Sequence, residues 1–212
     1  MKPIITIDIY SDTVCPWCYI GLKKIKIAID LTPKLNFHLL WRPFQLNPNM
    51  PIKGMDRQRY LELKFGGKKN ATETYRVIYE QGIENNIYFQ FEKINIMPNS
   101  FASHKLLALA HNFNNQTQVL ETLFYSYFIE GVDIGNLDHL ILIAKQHKIY
   151  DKNTLKYLQS DEDNKNLLSE EAHAKDLGIK GVPCFIVNKE FVFFGVQTQQ
   201  NFIDIFKKLQ NE

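Results

Sequence analysis

The chain has few cysteines, no long apolar run and almost no net charge. Three cysteines in 212 residues do not make a disulfide framework, and a chain of this length can bury a large core without cross-links. No apolar run approaches the ~18 residues that a membrane-spanning helix needs. Basic residues number 25 and acidic residues 23, so the charge gives no reason to expect nucleic acid or an anionic membrane as a partner. These absences predict an ordinary globular protein.

The N-terminus also lacks the features of a secretory signal peptide. Asp8 interrupts its apolar run, and no small-residue cleavage site follows. Apolar and polar residues alternate from Ile5 to Tyr10, which is the period of a strand. We therefore expect a strand at this end of the chain and a cytoplasmic location for the protein.

Strand patterns occur at the two ends of the chain, and helical patterns fill the middle. A strand, a helix after residue 15 and a second strand at 35–42 form a βαβ unit, whose crossover length favours a parallel pair. Two apolar runs joined by a turn at 188–190 precede a last helix and form a ββα unit. The order predicts an α/β domain in two parts, residues 1–52 and 178–212, with an all-helical domain at 53–177 inserted between them. Helices are predicted within that domain at 56–64, 71–81, 100–110, 116–129, 137–147, 153–159 and 164–176.

The segment Cys15-Pro16-Trp17-Cys18 stands at the start of the first predicted helix. Proline is favoured at the first helical position, because its missing N–H would have no partner there. Cys15 then becomes the N-cap, where backbone N–H groups and the helix dipole would stabilise its thiolate and lower its pKa. Cys18 lies one turn further in, close enough to form a disulfide. The pattern predicts a redox pair in which Cys15 attacks a disulfide and Cys18 resolves it.

Two other interpretations of the cysteine pair remain open. A zinc site needs two more ligands, and the sequence has no second C-x-x-C and no H-x-x-x-H run. Two inert, buried cysteines could also fall at this spacing by chance. The strand before the pair and the helix after it favour redox chemistry without a metal or a bound cofactor. Trp17 offers a flat apolar surface beside the sulfur, and we expect it to contact substrate together with Pro16.

Several segments, in order along the chain, resemble a known family. The block from Val14 to Gly21 is similar to the active-site block of DsbA-like proteins of the FrnE type, which are thioredoxin-fold proteins with an inserted helical domain. The similarity continues at 41–48, at 99–104, at 127–131 and at 178–183. It therefore spans nearly the whole chain.

The resemblance implies a thioredoxin fold and thiol-disulfide oxidoreductase or isomerase activity on protein or low-molecular-weight substrates. Cys15 would be the attacking cysteine, Cys18 the resolving cysteine and Pro183 a cis-proline that faces the pair. The backbone of Val182 would then pair with an extended substrate segment. Glutathione could serve as a redox partner.

The same superfamily leaves two alternatives to this function. It includes glutathione transferases of the kappa class and 2-hydroxychromene-2-carboxylate isomerases, which carry serine at the position that matches Cys15. A glutathione-dependent isomerase or transferase is therefore one alternative, although the cysteine argues for redox chemistry. A non-catalytic module that uses its groove to hold a partner is the other.

Four further residues each have two interpretations. Cys184 stands where the family usually has threonine, and we expect a small buried residue, the alternative being a third redox thiol near the pair. His104 would face the groove above the dithiol and bind substrate or stabilise a thiolate, unless it is a packing histidine. Asp12 could assist proton transfer or cap its loop. Arg42 could hold a substrate carboxylate or pair at the end of its strand.

Overall fold

The computed structural model describes residues 4–210, except for the side chain of residue 68. Strands lie near both ends of this range, and the region between them is mostly helical. In chain order the elements are β1 (Ile4–Ser11), α1 (Pro16–Asp30), β2 (Asn36–Pro43), β3 (Met55–Asp56), α2 (Arg57–Phe65), α3 (Lys68–Glu84), a 3-10 turn (Phe91–Lys93), β4 (Ile96–Met97), α4 (Phe101–His111), α5 (Gln116–Tyr125), a π-helical turn (Ser126–Glu130), α6 (Leu137–Gln146), α7 (Thr154–Gln159), α8 (Asn164–Asp176), β5 (Cys184–Val187), β6 (Phe191–Phe194) and α9 (Gln199–Gln210).

The main sheet has the strand order β2-β1-β5-β6. β1 runs parallel to β2 and antiparallel to β5, and β5 and β6 form a hairpin. Asn188 and Lys189 in the three-residue connection of the hairpin have φ values of 49° and 61°, the left-handed backbone that a type I′ turn requires at both central residues. The predicted βαβ and ββα units are confirmed, and together they form the α/β thioredoxin-type sheet.

The inserted region is not entirely helical, which corrects the prediction of an all-helical domain. β3 and β4 form a two-residue antiparallel ladder, in which Met55 lies opposite Met97. Strands of two residues contain no repeat of the alternation, so a sequence pattern does not reveal them. The predicted helix 116–129 is α-helical to Tyr125 and continues directly as the π-helical turn, which ends at Gly131 with a φ of 76°. The domain boundaries at 52 and 178 stay a prediction.

Aromatic rings join α1 to the inserted region. Tyr19 of α1 stacks on Phe124 of α5, with ring centroids 5.1 Å apart, and meets Phe89 edge to face at 6.1 Å. The same helix also packs against α9, and its buried side chains belong to the main core. Contacts with the inserted region and with α9 therefore hold helix α1 in position.

The outer edge of β2 is closed by a side chain rather than by another strand. Gln116 of α5 accepts a hydrogen bond from the backbone N–H of Trp41 and donates one to its carbonyl, both at 2.9 Å. Both residues are buried. An amide side chain thus satisfies backbone groups that an exposed edge strand would leave open to pairing with another chain.

We expect Gln116→Ala to lower the free energy of unfolding by about 2 kcal/mol, because two buried backbone groups of Trp41 lose their partners. Urea unfolding measures the change. Gln118→Ala, at an exposed position on the same helix, is the matched control and should stay within about 0.5 kcal/mol of the wild type. Equal losses in the two variants would show that the edge bonds contribute nothing.

Candidate active site

Cys15 is the N-cap of α1, as the sequence predicts. Its backbone is extended (φ −95°, ψ 113°) and Pro16 occupies the first turn. The Cys15 carbonyl accepts the N–H of Cys18 at 3.1 Å. The predicted bond from a helix N–H to the sulfur is not made. Instead, the Sγ of Cys15 donates to the carbonyl of Val182 at 3.8 Å, so the sulfur points at the loop before β5.

That loop contains a cis peptide bond between Val182 and Pro183, as expected for a thioredoxin-like sheet. Helix α1 approaches the loop closely at Gly21. A Cβ at this position would lie 3.2 Å from the Cγ of Pro183 and 3.1 Å from the ring of Phe185, tighter than side chains normally pack. Glycine therefore lets the helix approach the loop closely.

Both sulfurs of the pair are covered. Cys15 is 2% exposed and Cys18 is 1% exposed, and both are free thiols. Burial raises the pKa of Cys18 well above its usual value, and the hydrogen bond and the charge of Cys15 raise it further. The side chain of Ser11 and the backbone of Asp12 act in the opposite direction. Within the motif, Pro16 is buried and Trp17 is partly exposed.

Asp12 and His104 form a buried pair behind the cysteine loop. The Oδ1 of Asp12 lies 3.4 Å from the Nε2 of His104, a distance that fits an ion pair. The geometry is not that of a hydrogen bond, and Nε2 has no hydrogen-bond partner among residues 4–210. Asp12 also accepts the N–H of Leu46 at 2.7 Å, which ties the cysteine loop to the segment after β2. Both expected roles of Asp12 thus remain compatible with its position.

His104 does not lie in an open groove above the dithiol, which corrects its expected placement. His104 is only 4% exposed, because its position on α4 directs the side chain towards Asp12. The ring also lines a cavity of about 250 Å³ beside β2, together with Arg42 and Glu170. Arg42 itself pairs with Asp8 and Glu170, each at 2.9 Å, so it follows the second of its two interpretations.

Glu171 of α8 joins this buried polar group, and sequence reasoning missed it. It is 6% exposed, and burial raises the pKa of its carboxyl, which the charge of Asp12 raises further and that of His104 lowers. A usable signal exists in the sequence. Leu167, Glu171 and Ala174 follow helical spacing, and all three are buried, so a carboxyl stands on the apolar face of the helix.

Cys184 lies on the other face of the sheet from the cysteine pair. It is fully buried, and burial raises its pKa to about 11. Its neighbour Phe185 packs in the main core with Cys15 and Cys18, and successive residues of a strand point to opposite faces. The expectation of a small buried residue is confirmed, and the geometry does not support a third redox thiol beside the pair. The cluster around Cys184 consists of Tyr10, Phe44, Ala174 and Ile179.

The sheet, the N-capping cysteine and the cis-proline loop define a thioredoxin-fold protein with a dithiol site. Residues 6–207 match the model of the DSBA-like thioredoxin domain family, and the chain belongs to this family of DsbA-like thiol oxidoreductases. Within residues 4–210, no helix is long and apolar enough to cross a membrane, and no group of three or more histidine, cysteine or acidic side chains could hold a metal ion.

Known proteins similar to this chain share its fold. The probable DsbA oxidoreductase SCO1869 from Streptomyces coelicolor superposes with a TM-score of 0.87 at 20% identity, over 98% of this chain and 91% of the other. A putative protein disulfide isomerase from Nitrosomonas europaea gives 0.77 at 13% identity, over 99% and 100%. The cytosolic disulfide reductase DsbM from Pseudomonas aeruginosa gives 0.64 at 11%, over 97% and 98%.

One curated relative is similar in sequence. The uncharacterized protein YwbO from Bacillus subtilis (strain 168) is 23% identical over 145 residues. The matched segment spans 66% of this chain and 64% of the length of YwbO.

We expect Glu171→Gln to be more stable than the wild type at neutral pH. Native Glu171 keeps its proton to a higher pH than the unfolded chain does, so the free energy of unfolding of the wild type falls as the pH rises through that interval. The variant lacks this loss, so the difference in the free energy of unfolding between variant and wild type should grow as the pH rises from the acidic range towards neutral. Urea unfolding over a pH series measures it.

The exposed Glu190 provides the control for this experiment. Glu190→Gln should gain no stability over the same pH range. A Glu171→Gln protein less stable than the wild type at neutral pH would mean that the carboxylate is held by the positive charge of His104, contrary to the expectation.

We also expect Cys184 of the folded, reduced protein to react with iodoacetamide far more slowly than it does once the protein is unfolded. A thiol with a pKa of about 11 is only about one part in a thousand thiolate near pH 8, and burial blocks the reagent as well. Mass spectrometry follows the labelling and also maps the disulfides of the oxidised protein. A disulfide between Cys184 and either Cys15 or Cys18 would contradict the packing described above.

Proposed function

We propose that this protein is a thiol-disulfide oxidoreductase or isomerase that uses Cys15 and Cys18 as its redox pair. The observation that supports this most is the position of Cys15. It caps α1, directs its sulfur at the Val182 carbonyl of the cis-proline loop, and has Cys18 one helical turn behind it. This arrangement brings together an attacking thiol, a resolving thiol and the Val182 backbone, with which an extended substrate segment would pair.

The proposed reaction is a two-step exchange. The Cys15 thiolate attacks one sulfur of a substrate disulfide, which forms a mixed disulfide and releases the other sulfur as a thiolate. The Cys18 thiolate then attacks the sulfur of Cys15, forms the Cys15–Cys18 disulfide and releases the rest of the substrate. Two electrons pass to the substrate, and the two protons lost by the cysteines are taken up by the two product thiolates. An external thiol or disulfide restores the pair.

The residues around the pair have separate roles in this proposal. Trp17, the partly exposed member of the motif, supplies an apolar contact to substrate next to Pro16. The backbone of Val182 and the ring of Pro183 form the facing wall of the site. His104 acts from behind, through Asp12, rather than by touching substrate.

Substrates in this proposal are protein or low-molecular-weight disulfides, and the protein works in the cytoplasm with glutathione as a redox partner. The cytosolic disulfide reductase DsbM has the same fold, which supports disulfide substrates and a cytoplasmic location. The reduction potential of the dithiol relative to the glutathione pool decides whether it reduces or oxidises. Nothing in the site favours the alternative of a glutathione-dependent isomerase or transferase, because Cys15 stands where those enzymes carry serine.

We expect Cys15→Ser to lose at least about a hundredfold of the rate of insulin reduction by dithiothreitol, since no other thiol can take the N-cap position. Cys18→Ser should still attack but fail to resolve, so a mixed disulfide with substrate accumulates and is visible by mass spectrometry. Cys184→Ala is the control, and it should retain the wild-type rate within about twofold because its side chain lies on the other face of the sheet.

Two outcomes would contradict the proposal. Undiminished exchange in Cys15→Ser would remove Cys15 as the nucleophile. A wild-type pair that never cycles between dithiol and disulfide at accessible potentials would favour the non-catalytic binding module.

A further inference from the structure

Arg57 is the buried residue of α2, a helix whose other side chains are mostly exposed. It is 6% exposed, and arginine is rarely buried to this degree without a partner. Its guanidinium carbon lies 4.7 Å from the ring centre of Tyr75 and 5.5 Å from that of Phe91. The contacts of the cation are thus with aromatic faces.

The guanidinium of Arg57 has no anionic partner among residues 4–210. No carboxylate of that range lies within ion-pair distance, and its buried Nε has no hydrogen-bond acceptor. Arg42 and Arg76, by contrast, each pair with two carboxylates. Aromatic contacts offset only part of the cost of burying a cation. The environment of Arg57 therefore lacks the anion that would complete it.

Arg57 lines a cavity of about 590 Å³ between α2, α3 and the 3-10 turn, which is the size of a small-molecule site. Glu62 and Glu92 also line it. A buried cation and two carboxylates in one cavity are complementary to a ligand that carries both a carboxylate and an ammonium group. The apolar part of the wall consists of Leu61, Ala71, Tyr75, Phe91 and Ile94.

Two tyrosines interact electrostatically with both Arg57 and Cys15. Burial raises the pKa of Tyr75 to about 12, and the charges of Arg57 and Cys15 act on it in opposite directions. The same two charges act on Tyr60, whose hydroxyl donates to Asn47 at 3.2 Å. Both phenols are therefore within electrostatic range of the sulfur and of the guanidinium.

We propose that Arg57 binds the carboxylate of a low-molecular-weight disulfide substrate with an amino-acid head group. The ammonium group of that head faces Glu62 or Glu92, and its methylene carbons lie on the aromatic and aliphatic wall. The inference rests on the exchange reaction proposed above and adds a substrate class to it. The bidentate guanidinium fork suits a carboxylate better than a lysine would.

Matched disulfides test the proposal in the wild type, with dithiothreitol regenerating the dithiol. Cystine carries a carboxylate and an ammonium group on each half, whereas cystamine lacks the carboxylate. We expect kcat/KM for cystine to exceed that for cystamine by about tenfold or more, the effect of one charge-assisted hydrogen-bonded pair. A wild type that prefers cystamine would overturn the proposal.

Variants then assign the preference to Arg57. Arg57→Gln should lower kcat/KM for cystine about tenfold, mainly through KM, and leave cystamine within about twofold. Arg57→Lys keeps the charge without the guanidinium fork, so its kcat/KM for cystine should lie between those of the wild type and Arg57→Gln. Arg59→Gln, at an exposed position of the same helix, is the control and should match the wild type. Equal losses for cystine and cystamine in Arg57→Gln would mean that Arg57 only holds the fold, and would overturn the proposal.

A binding measurement separates this proposal from the proposed reaction. S-methylcysteine has the same head group and no disulfide, so its binding to the Cys15→Ser protein does not depend on exchange. We expect saturable shifts of the NMR signals around Arg57, which disappear in the Cys15→Ser/Arg57→Gln protein. Absence of binding would overturn the Arg57 site even if insulin is reduced. Binding in a protein that exchanges no disulfide would support the site and refute the redox function.

Discussion

The contact between the Cys15 sulfur and the Val182 carbonyl depends on the directions of three strands. β1 runs parallel to β2 and antiparallel to β5, so the C-terminal end of β1 and the start of β5 meet at the same end of the sheet. The turn after Ser11 leads into Cys15, and Pro183 directly precedes β5. Helix α1 must begin at this end of the sheet, and it can pass close to Pro183 because of Gly21. Sheet topology therefore assembles the site from distant parts of the chain.

Polar side chains then hold the inserted region against the cysteine loop at that end of the sheet. Thr13 of the cysteine loop and Ser103 of α4 share a hydrogen bond of 2.7 Å between their hydroxyls, and Asp12 approaches His104 on the same helix. Burying such groups costs free energy unless they find partners, so they tolerate one docking geometry better than others. Apolar packing between α1 and α5 would by itself permit small shifts. The polar contacts link the position of α4 to the conformation of the cysteine loop.

The features that could be predicted are those that depend on local chemistry. Pro16 and Cys15 define a helix start through backbone geometry alone, and the order of strands and helices then predicts the sheet and the place of Pro183. The burial of Arg57 could not be predicted, because its helix is polar and the rings of Tyr75 and Phe91 come from other elements. The burial of His104 against Asp12 could not be predicted either, because Asp12 lies in a loop distant in the sequence. Which neighbour a helix face meets is decided by tertiary packing, which a single sequence does not display.

Burial of Cys18 links the two steps of the proposed exchange. A thiol must lose its proton before it can attack, and Cys18 holds its proton firmly because of burial and because of the hydrogen bond and charge of Cys15. Once the Cys15 sulfur is bonded to substrate, it has neither a charge nor a proton to share. Two of the three causes that raise the pKa of Cys18 are then removed, while the side chain of Ser11 and the backbone of Asp12 still favour its thiolate. Formation of the mixed disulfide therefore makes Cys18 a better nucleophile, and the order of attack follows from the electrostatics of the pair itself.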